Sequence, residues 1–236
     1  MLNWEVEAAL LEPLVPRGCV LDLYEGRAYV SVVGFRFEQT RVGGVAIPGH
    51  RAFEEINLRF YVRREVAGEQ RRAVTFIREF VPRRAIAWVA RWRYNEPYRR
   101  VPMTSQIVGT PATDMPTRVQ YTAGAMAMEV TTDGVGRVLP TDSFEAFISE
   151  HYWGYTAQRD GSTVEYAVTH PSWRIAGART AALTGDVRAV YGEWAPVLSR
   201  PVHSAWLADG SGVAVYPPRR LSLGAEAAPG RVAAQA

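Results

Sequence analysis

Residues 53–63 read FEEINLRFYVR, with polar and apolar side chains alternating almost without interruption. Four apolar side chains share one parity: Ile56, Leu58, Phe60 and Val62. Five polar side chains share the other: Glu55, Asn57, Arg59, Tyr61 and Arg63. Successive side chains of a β-strand point to opposite faces, so the pattern predicts a strand with one apolar and one polar face.

The polar face of this strand combines a carboxylate, an amide, a guanidinium and a phenol in register. Such a row could line a wet cavity and hold a small anion, because a guanidinium pairs well with carboxylates and phosphates. A strand that simply turns its polar side to solvent has the same alternation. Both interpretations stay open at the level of the sequence.

A second strand is predicted from Ala73 to Phe80, joined to the first through a turn at Gly68 and paired antiparallel with it. Arg78 and Glu79 are adjacent on this strand, so one of them should face the same way as Arg59. We take Arg78 as a second candidate for anion binding.

A chemical hypothesis follows from the same set of side chains. Arg59 would pair with a ligand carboxylate, and Asn57 and Tyr61 would complete a polar constellation around it. Glu55, when partly desolvated, would be a candidate catalytic acid or base. The alternative is a buried ion-pair network that fixes the strand register, since perturbed carboxylates occur in both settings.

The remaining pattern predicts a mainly β (α+β) chain with mostly antiparallel strands. Residues 20–24 and 28–37 are predicted to form a hairpin, with a bulge or bend at Gly34. A strand is predicted at 185–190. Helices are predicted at 82–92 and from Phe144, the latter with Asp142 and Glu145 at capping-box spacing. One domain over residues 1–223 and a flexible tail over 224–236 are expected.

Composition excludes several classes of function. Hydrophobic residues make up 47% and charged residues 22% of the 236, as in soluble globular proteins. No apolar run approaches the ~20 residues of a membrane span, and the first residues lack the features of a signal peptide. Cys19 is the one cysteine, and the four histidines are far apart, so we predict no metal site. No nucleotide-binding glycine motif or serine-nucleophile motif is present, and no cofactor is predicted. The expected location is cytoplasmic.

The chain contains no lysine, so all 27 basic residues are arginine. A Schiff base needs an amine nucleophile, and only the α-amino group could supply one here. Arginine stays charged and binds carboxylates bidentately, but it is a poor proton shuttle. The net charge is +3 and the arginine pairs are dispersed, so nucleic-acid binding is not predicted.

Several ordered blocks resemble the YqjF-like family of uncharacterised proteins, over roughly residues 4–221. The blocks are LDLYEGRAYVS at 21–31, FRF at 35–37, FEEINLRFYVR at 53–63, FISEHY at 147–152 and HPSW at 170–173. The resemblance implies a fold like that of acetoacetate decarboxylase, an antiparallel β-barrel or cone with a pocket in its middle.

In that decarboxylase a lysine forms a Schiff base with the β-keto acid, aided by a nearby lysine, a glutamate and an arginine. A chain without lysine cannot carry over this chemistry. The resemblance leaves Glu55 and Arg59 as counterparts of the glutamate and arginine. Position 151 is more usually arginine in the family block, so His151 is a departure.

His170 is the last candidate ligand-binding residue. Pro171 holds it extended between two predicted strands, and Trp173 would pack over the end of the barrel. A purely structural aromatic corner is the alternative interpretation of this segment.

The sequence therefore predicts a protein that binds a small anionic, carboxylate-bearing metabolite in a central pocket, without Schiff-base chemistry. One alternative is a lysine-independent lyase, isomerase or hydratase that uses Glu55. Another is a non-catalytic structural or sensor protein with the same fold. No membrane partner is predicted, and a homo-oligomer is compatible with the sequence.

Overall fold

The structure is a computed structural model that describes residues 1–42, 45–46, 52–82 and 97–221. Strands dominate it, which confirms the mainly β fold class. In chain order they are β1 (Leu2–Val6), β2 (Val20–Leu21), β3 (Ala28–Phe37), β4 (Arg41–Val42), β5 (Val45–Ala46), β6 (Phe53–Val66), β7 (Glu69–Val81), β8 (Tyr98–Arg100), β9 (Met103–Val108), β10 (Arg118–Ala123), β11 (Met126–Thr132), β12 (Trp153–Ala157), β13 (Thr163–Thr169), β14 (Ile175–Gly185), β15 (Ser204–Ala208), β16 (Ala214–Val215) and β17 (Arg219–Arg220).

The helices that lie in the described ranges are short. They are α1 (Ala8–Leu11), α2 (Phe144–Ser149), α3 (Val187–Tyr191) and α4 (Ala195–Leu198), with 3₁₀ turns at Glu12–Leu14 and Gly192–Trp194. The helix predicted at 82–92 and the predicted tail at 224–236 lie outside the described residues, apart from Pro82. None of the described helices is both long and apolar enough to span a membrane.

One large sheet carries most of the strands, in the order β16-β13-β12-β7-β6-β3-β1-β15-β14-β11-β10-β9. Strands β2, β8 and β17 pair with β6, β7 and β13, and β4 and β5 form a separate pair. Neighbours run antiparallel except β12–β7 and β7–β8, which are parallel. Over the described residues the sheet ends at β16 and β9 and is not closed, whereas the resemblance implied a β-barrel or cone.

Strand β6 is longer than predicted and forms the expected hairpin with β7. Ala67 and Gly68 connect the two strands, with φ of 51° and 81°. Two positive φ values are the signature of the tight two-residue turn that matches the twist of a hairpin. The pairing register shifts between Leu58 and Arg59, where Ile77 of β7 is the extra residue of a bulge.

Other local predictions differ from the structure. Strand β2 pairs with β6 rather than β3, so the hairpin predicted over 20–37 is wrong. Its predicted turn at Glu25-Gly26 does form, between bridged Tyr24 and Arg27. Helix α2 begins as predicted, but the capping side chain is Ser143, whose hydroxyl accepts a hydrogen bond from the Ala146 amide.

Two hydrophobic cores cover the two faces of β6. The larger core contains the apolar parity of the strand, Ile56, Leu58, Phe60 and Val62, with side chains of β1, β3 and β11 and the helices near residue 190. The smaller core contains Tyr61 with aromatic and aliphatic side chains of β3, α2 and β15. The polar face of β6 is therefore an interior surface of the protein.

Candidate functional site

The polar face of β6 is buried along most of its length. Glu55, Asn57 and Tyr61 are each at most 3% exposed, Arg59 is half-buried, and Arg63 is exposed. Helix α2 and the segment that follows it pack against this face. The side chains divide into two groups, which we call the Arg59 cluster (Arg59, Tyr61, Ser149 and His151) and the Glu55 cluster (Glu55, Asn57, Glu79 and Tyr98).

Arg59 is a cation without an anionic partner in the described part of the chain. Its Nη2 donates to the Ile148 carbonyl oxygen at 3.2 Å, at the C-terminal end of α2. Its Nε is buried and has no hydrogen-bond partner among the described residues, and no described carboxylate lies within salt-bridge distance. An interior guanidinium without a counter-ion is costly, so an anion bound there would be strongly favoured.

Arg72 provides a contrast beside it. Its Nη2 donates to the Phe147 carbonyl oxygen at 3.0 Å, and its Nε pairs with Asp22 at 2.7 Å. Both arginines hold carbonyls at the end of α2, but only Arg72 has a carboxylate. The Arg72–Asp22 pair holds the end of α2 in place, and Arg59 is left without a counter-ion among the described residues.

His151 follows α2 and is a buried polar side chain. It is 6% exposed and stacks on the Tyr61 ring, with 4.8 Å between the ring centroids. Burial and the charges of Arg72 and Arg59 hold its pKa well below the usual range, so the ring is neutral. The Ile148 carbonyl opposes this effect, but neither ring nitrogen makes a hydrogen bond of standard geometry with any described residue.

Ser149 lies on α2 just before His151. Its side chain is 2% exposed, and its hydroxyl has no hydrogen-bond partner within the described ranges. Arg59 and His151 therefore present a guanidinium N–H and a neutral imidazole beside the aromatic ring of Tyr61. A set of donors around one positive charge suits a small oxyanion.

The Tyr61 hydroxyl is used inside the protein. Ser31 Oγ donates its hydrogen to Asn3 Oδ1 at 2.6 Å. The Tyr61 hydroxyl lies 2.5 Å from Ser31 Oγ and is therefore the donor to that oxygen. Asn3 in turn donates to Ser204 Oγ at 3.1 Å. This row of hydrogen bonds fixes the Tyr61 ring as a platform, with the Arg59 guanidinium 5.7 Å from its centroid.

The amino group of Met1 lies near Arg59. It donates to the Trp206 carbonyl oxygen at 2.8 Å and is buried. Burial, and secondarily the Arg59 charge, lower its pKa to about 5. The amine is therefore neutral at pH 7 and adds no second positive charge to the cluster.

The Glu55 cluster lies further along the same strand. Asn57 Nδ2 donates to Glu55 Oε1 at 3.3 Å, and the Tyr98 hydroxyl donates to Glu55 Oε2 at 3.2 Å. Burial raises the pKa of Glu55 to about 7, although both hydrogen bonds favour the charged form. Glu55 can therefore take up or release a proton near neutrality.

Strand geometry separates the two clusters. Four residues of β-strand place the Cα atoms of Glu55 and Arg59 about 13 Å apart. Glu55 makes its contacts with Asn57 and Tyr98, and Arg59 makes its contact with α2. The structure therefore divides the single constellation predicted from the sequence into two groups of contacts.

The prediction that Arg78 shares the face of Arg59 is wrong. In the observed register Arg78 is opposite Leu58, and Glu79 is opposite Asn57. Directly opposed residues point to the same side of a sheet, so Arg78 lies on the face of Leu58 and Glu79 joins the polar face. The bulge at Ile77 causes the exchange, because one extra residue inverts the parity of the strand beyond it.

His170 lies at a surface corner rather than on the buried face. Its ring is half-buried and stacks on Trp173 at 4.2 Å and on Tyr152 at 5.0 Å between centroids. Its Nδ1 is 2.9 Å from the Pro171 carbonyl oxygen. These are the contacts of the aromatic corner, and the structure does not bring His170 into either cluster.

Metal ligands are not gathered at either cluster. In the described ranges no three histidine, cysteine, aspartate or glutamate side chains are close enough to share an ion. The residues that the sequence missed are Ser149, His151 as a site residue, and Tyr98. The shared helical face of Phe144, Phe147 and His151 was a usable signal for His151, whereas the parallel pairing that brings Tyr98 beside Glu79 leaves no mark in the sequence.

Comparisons with known proteins agree with this architecture. A curated relative, the uncharacterized protein YqjF of Bacillus subtilis (strain 168), is 27% identical over 221 residues, covering 93% of this chain and 88% of that protein. The enduracididine biosynthesis enzyme MppR, solved in complex with pyruvate, superposes with a TM-score of 0.63 at 14% identity and covers 94% of this chain and 86% of its own. Acetoacetate decarboxylase from Legionella pneumophila superposes with a TM-score of 0.59 at 11% identity, covering 94% and 83%.

These two structures share the fold of this chain, and at such low identity they establish the fold alone. The sequence itself matches a described family over residues 1–211, which is most of the chain. The protein therefore belongs to the DUF2071 family of uncharacterized conserved proteins.

Proposed function

We propose that this protein binds a small carboxylate-bearing metabolite at the Arg59 cluster. The observation that carries the proposal is the guanidinium of Arg59, which is turned into the interior with a buried Nε and no counter-ion among the described residues. Its one hydrogen bond, to the Ile148 carbonyl oxygen, neutralises no charge. A ligand carboxylate would supply both the missing acceptor and the missing charge.

The surroundings of Arg59 favour a small organic anion. Tyr61 and Phe147 supply ring surfaces, and the neutral His151 adds no competing charge. In such an interior a charge-assisted hydrogen bond is stronger than at the surface. The fold neighbour MppR, whose structure was solved with pyruvate, lends support from a protein of the same architecture.

The binding does not involve an imine in this proposal. The chain has no lysine, and the amino group of Met1 is buried and donates to the Trp206 carbonyl oxygen. Sodium borohydride added in the presence of pyruvate should therefore leave the mass of the protein unchanged. A reduced adduct on the Met1 peptide would overturn this part of the proposal.

Arg59→Met tests the binding itself, because it removes the charge and keeps a long side chain. Short-chain carboxylates, titrated by ligand-observed NMR, should lose about 10–100-fold in affinity, the effect of a charge-assisted hydrogen bond. Arg63→Met is the matched control, since Arg63 is exposed on the same strand and parity. Equal affinities of the two variants, or no carboxylate bound by the wild type, would contradict the proposal.

A second candidate function is proton transfer by Glu55. The observation that favours it is a buried carboxyl group whose pKa is raised to about 7. A lyase, isomerase or hydratase that uses this group should lose turnover in Glu55→Gln with ligand affinity unchanged. If wild type and variant bind the same carboxylates with no turnover, a binding or sensor protein is the better description.

A further inference from the structure

The buried imidazole of His151 is not used by the binding of a plain carboxylate. Both ring nitrogens lack a hydrogen bond of standard geometry to any described residue, although the side chain is only 6% exposed. Buried polar groups are almost always satisfied, so a ring that meets the Ile148 carbonyl oxygen only outside standard geometry indicates a missing partner. The neighbouring Ser149 hydroxyl is in the same state.

His151 and Arg59 are held against the same aromatic ring. The imidazole stacks on Tyr61 at 4.8 Å with an interplanar angle of 28°, and the guanidinium carbon is 5.7 Å from the same centroid. Tyr61 cannot shift easily, because its hydroxyl is fixed by Ser31 and Asn3. Phe147 confines the imidazole further, with its ring edge-on at 6.2 Å.

The two groups offer different chemistry to a ligand. Arg59 is a donor with a permanent charge, which suits a carboxylate. A neutral imidazole carries one donor and one acceptor nitrogen, which suits a hydroxyl or carbonyl oxygen. Because the guanidinium and the imidazole both lie against the Tyr61 ring, they fit a ligand that has a second oxygen on the carbon next to its carboxylate.

Resting on the proposed function, we propose that His151 is the specificity-determining residue of the site and selects 2-hydroxy or 2-oxo carboxylic acids over acids that lack the second oxygen. Arg59 takes the carboxylate and a ring nitrogen of His151 takes the oxygen on carbon 2. A ligand without that oxygen leaves the imidazole buried and unsatisfied, and binds more weakly for that reason.

Three acids of equal chain length provide the test: pyruvate, lactate and propionate. By NMR titration the wild type should bind pyruvate or lactate about tenfold more tightly than propionate, the effect of one net hydrogen bond. In His151→Phe, which keeps a ring against Tyr61, the affinities for pyruvate and lactate should fall to the affinity of the wild type for propionate. His151→Gln, which keeps a donor and an acceptor, should retain the preference.

The outcomes separate this proposal from the previous one. If the wild type binds all three acids equally and Arg59→Met binds none, carboxylate binding stands and the selection by His151 is overturned. If the wild type binds none of them, both proposals fail. Persistence of the preference in His151→Phe would also overturn the role of His151.

A measurement on the wild type keeps the proposal testable if His151→Phe does not fold. The ring proton resonances of His151 should shift on addition of pyruvate and stay unchanged with propionate. Equal shifts with both acids would overturn the selection.

Discussion

Ile56, Leu58 and Phe60 on one face of β6 are fully buried in the larger core, whereas Asn57, Arg59 and the nearby His151 on the other face keep buried polar atoms without partners in the described part of the chain. The apolar side chains of the first face need only close-packed neighbours. The polar atoms of the second face need hydrogen bonds, which the described residues do not supply. Where one strand has both kinds of face, the incomplete face is the better indicator of function.

The largest expected effect is on the apolar face. Phe60→Ala should lower the free energy of unfolding by about 3–5 kcal/mol, because the ring fills the larger core. Urea denaturation followed by fluorescence measures the change. Arg63→Ala, exposed on the same strand, is the control and should stay within about 0.5 kcal/mol. A loss below about 1 kcal/mol at Phe60 would show that this face is not a packed core.

The next effect concerns pH and Glu55. The pKa of this carboxyl group is about 7 in the folded protein against its ordinary value of 4.5, so between these values the folded state binds more protons than the unfolded state. Stability is therefore fully present below about pH 4.5 and is lost as pH rises through 7, by about 3 kcal/mol. Denaturation at pH 5 and pH 8 should reveal this loss in the wild type.

Glu55→Gln is the control for this pH effect. It keeps one acceptor oxygen, which can serve either Asn57 or Tyr98, and it cannot ionise. The variant should lack the part of the pH dependence that Glu55 causes. The same slope in both proteins would contradict the assignment.

A smaller effect is expected from Tyr61→Phe. Removing the hydroxyl deletes the hydrogen bond to Ser31 and should lower the free energy of unfolding by about 1 kcal/mol. Carboxylate affinity should stay the same, because this hydroxyl already donates within the protein. Tyr216→Phe, at an exposed tyrosine, serves as the control. If affinity falls as far as in Arg59→Met, the hydroxyl contacts the ligand after all.

The smallest change in stability is expected for Arg59→Met, which should stay within about 1 kcal/mol of wild type. The lost hydrogen bond to Ile148 is offset by the removal of an interior charge that has no counter-ion among the described residues. Thermal and urea denaturation in the absence of ligand measure it. A loss as large as that for Phe60→Ala would indicate a structural role for the guanidinium and weaken the binding proposal.

Local pattern was sufficient to predict the β6–β7 hairpin and the two faces of β6. The alternation fixes which side chains share a face, and Gly68 marks the turn. It was not sufficient to predict that the polar face is interior, because burial of that face depends on α2, which is far along the chain. It also could not predict the bulge at Ile77, which exchanges Arg78 for Glu79 on that face.

Other errors arise where a segment has more than one partner to choose from. Val20–Leu21 pairs with β6 because β1 already occupies the other side of β3. Residues 187–190 look β-branched and apolar, yet Asp186 caps a helix there by accepting a hydrogen bond from the Ala189 amide. Gly34 needs no bulge; a Cβ there would lie 2.9 Å from the Tyr121 ring, so the residue permits close packing.

The row of hydrogen bonds from Tyr61 through Ser31 and Asn3 to Ser204 has a consequence for folding kinetics. Asn3 and Ser204 are separated by 201 positions in the chain, and Arg59 meets Ile148 across 89. Contacts between such distant positions form slowly, because the long loops between them must close first. During refolding, the local β6–β7 hairpin can form early, but the ability to bind an anion should be among the last properties to return.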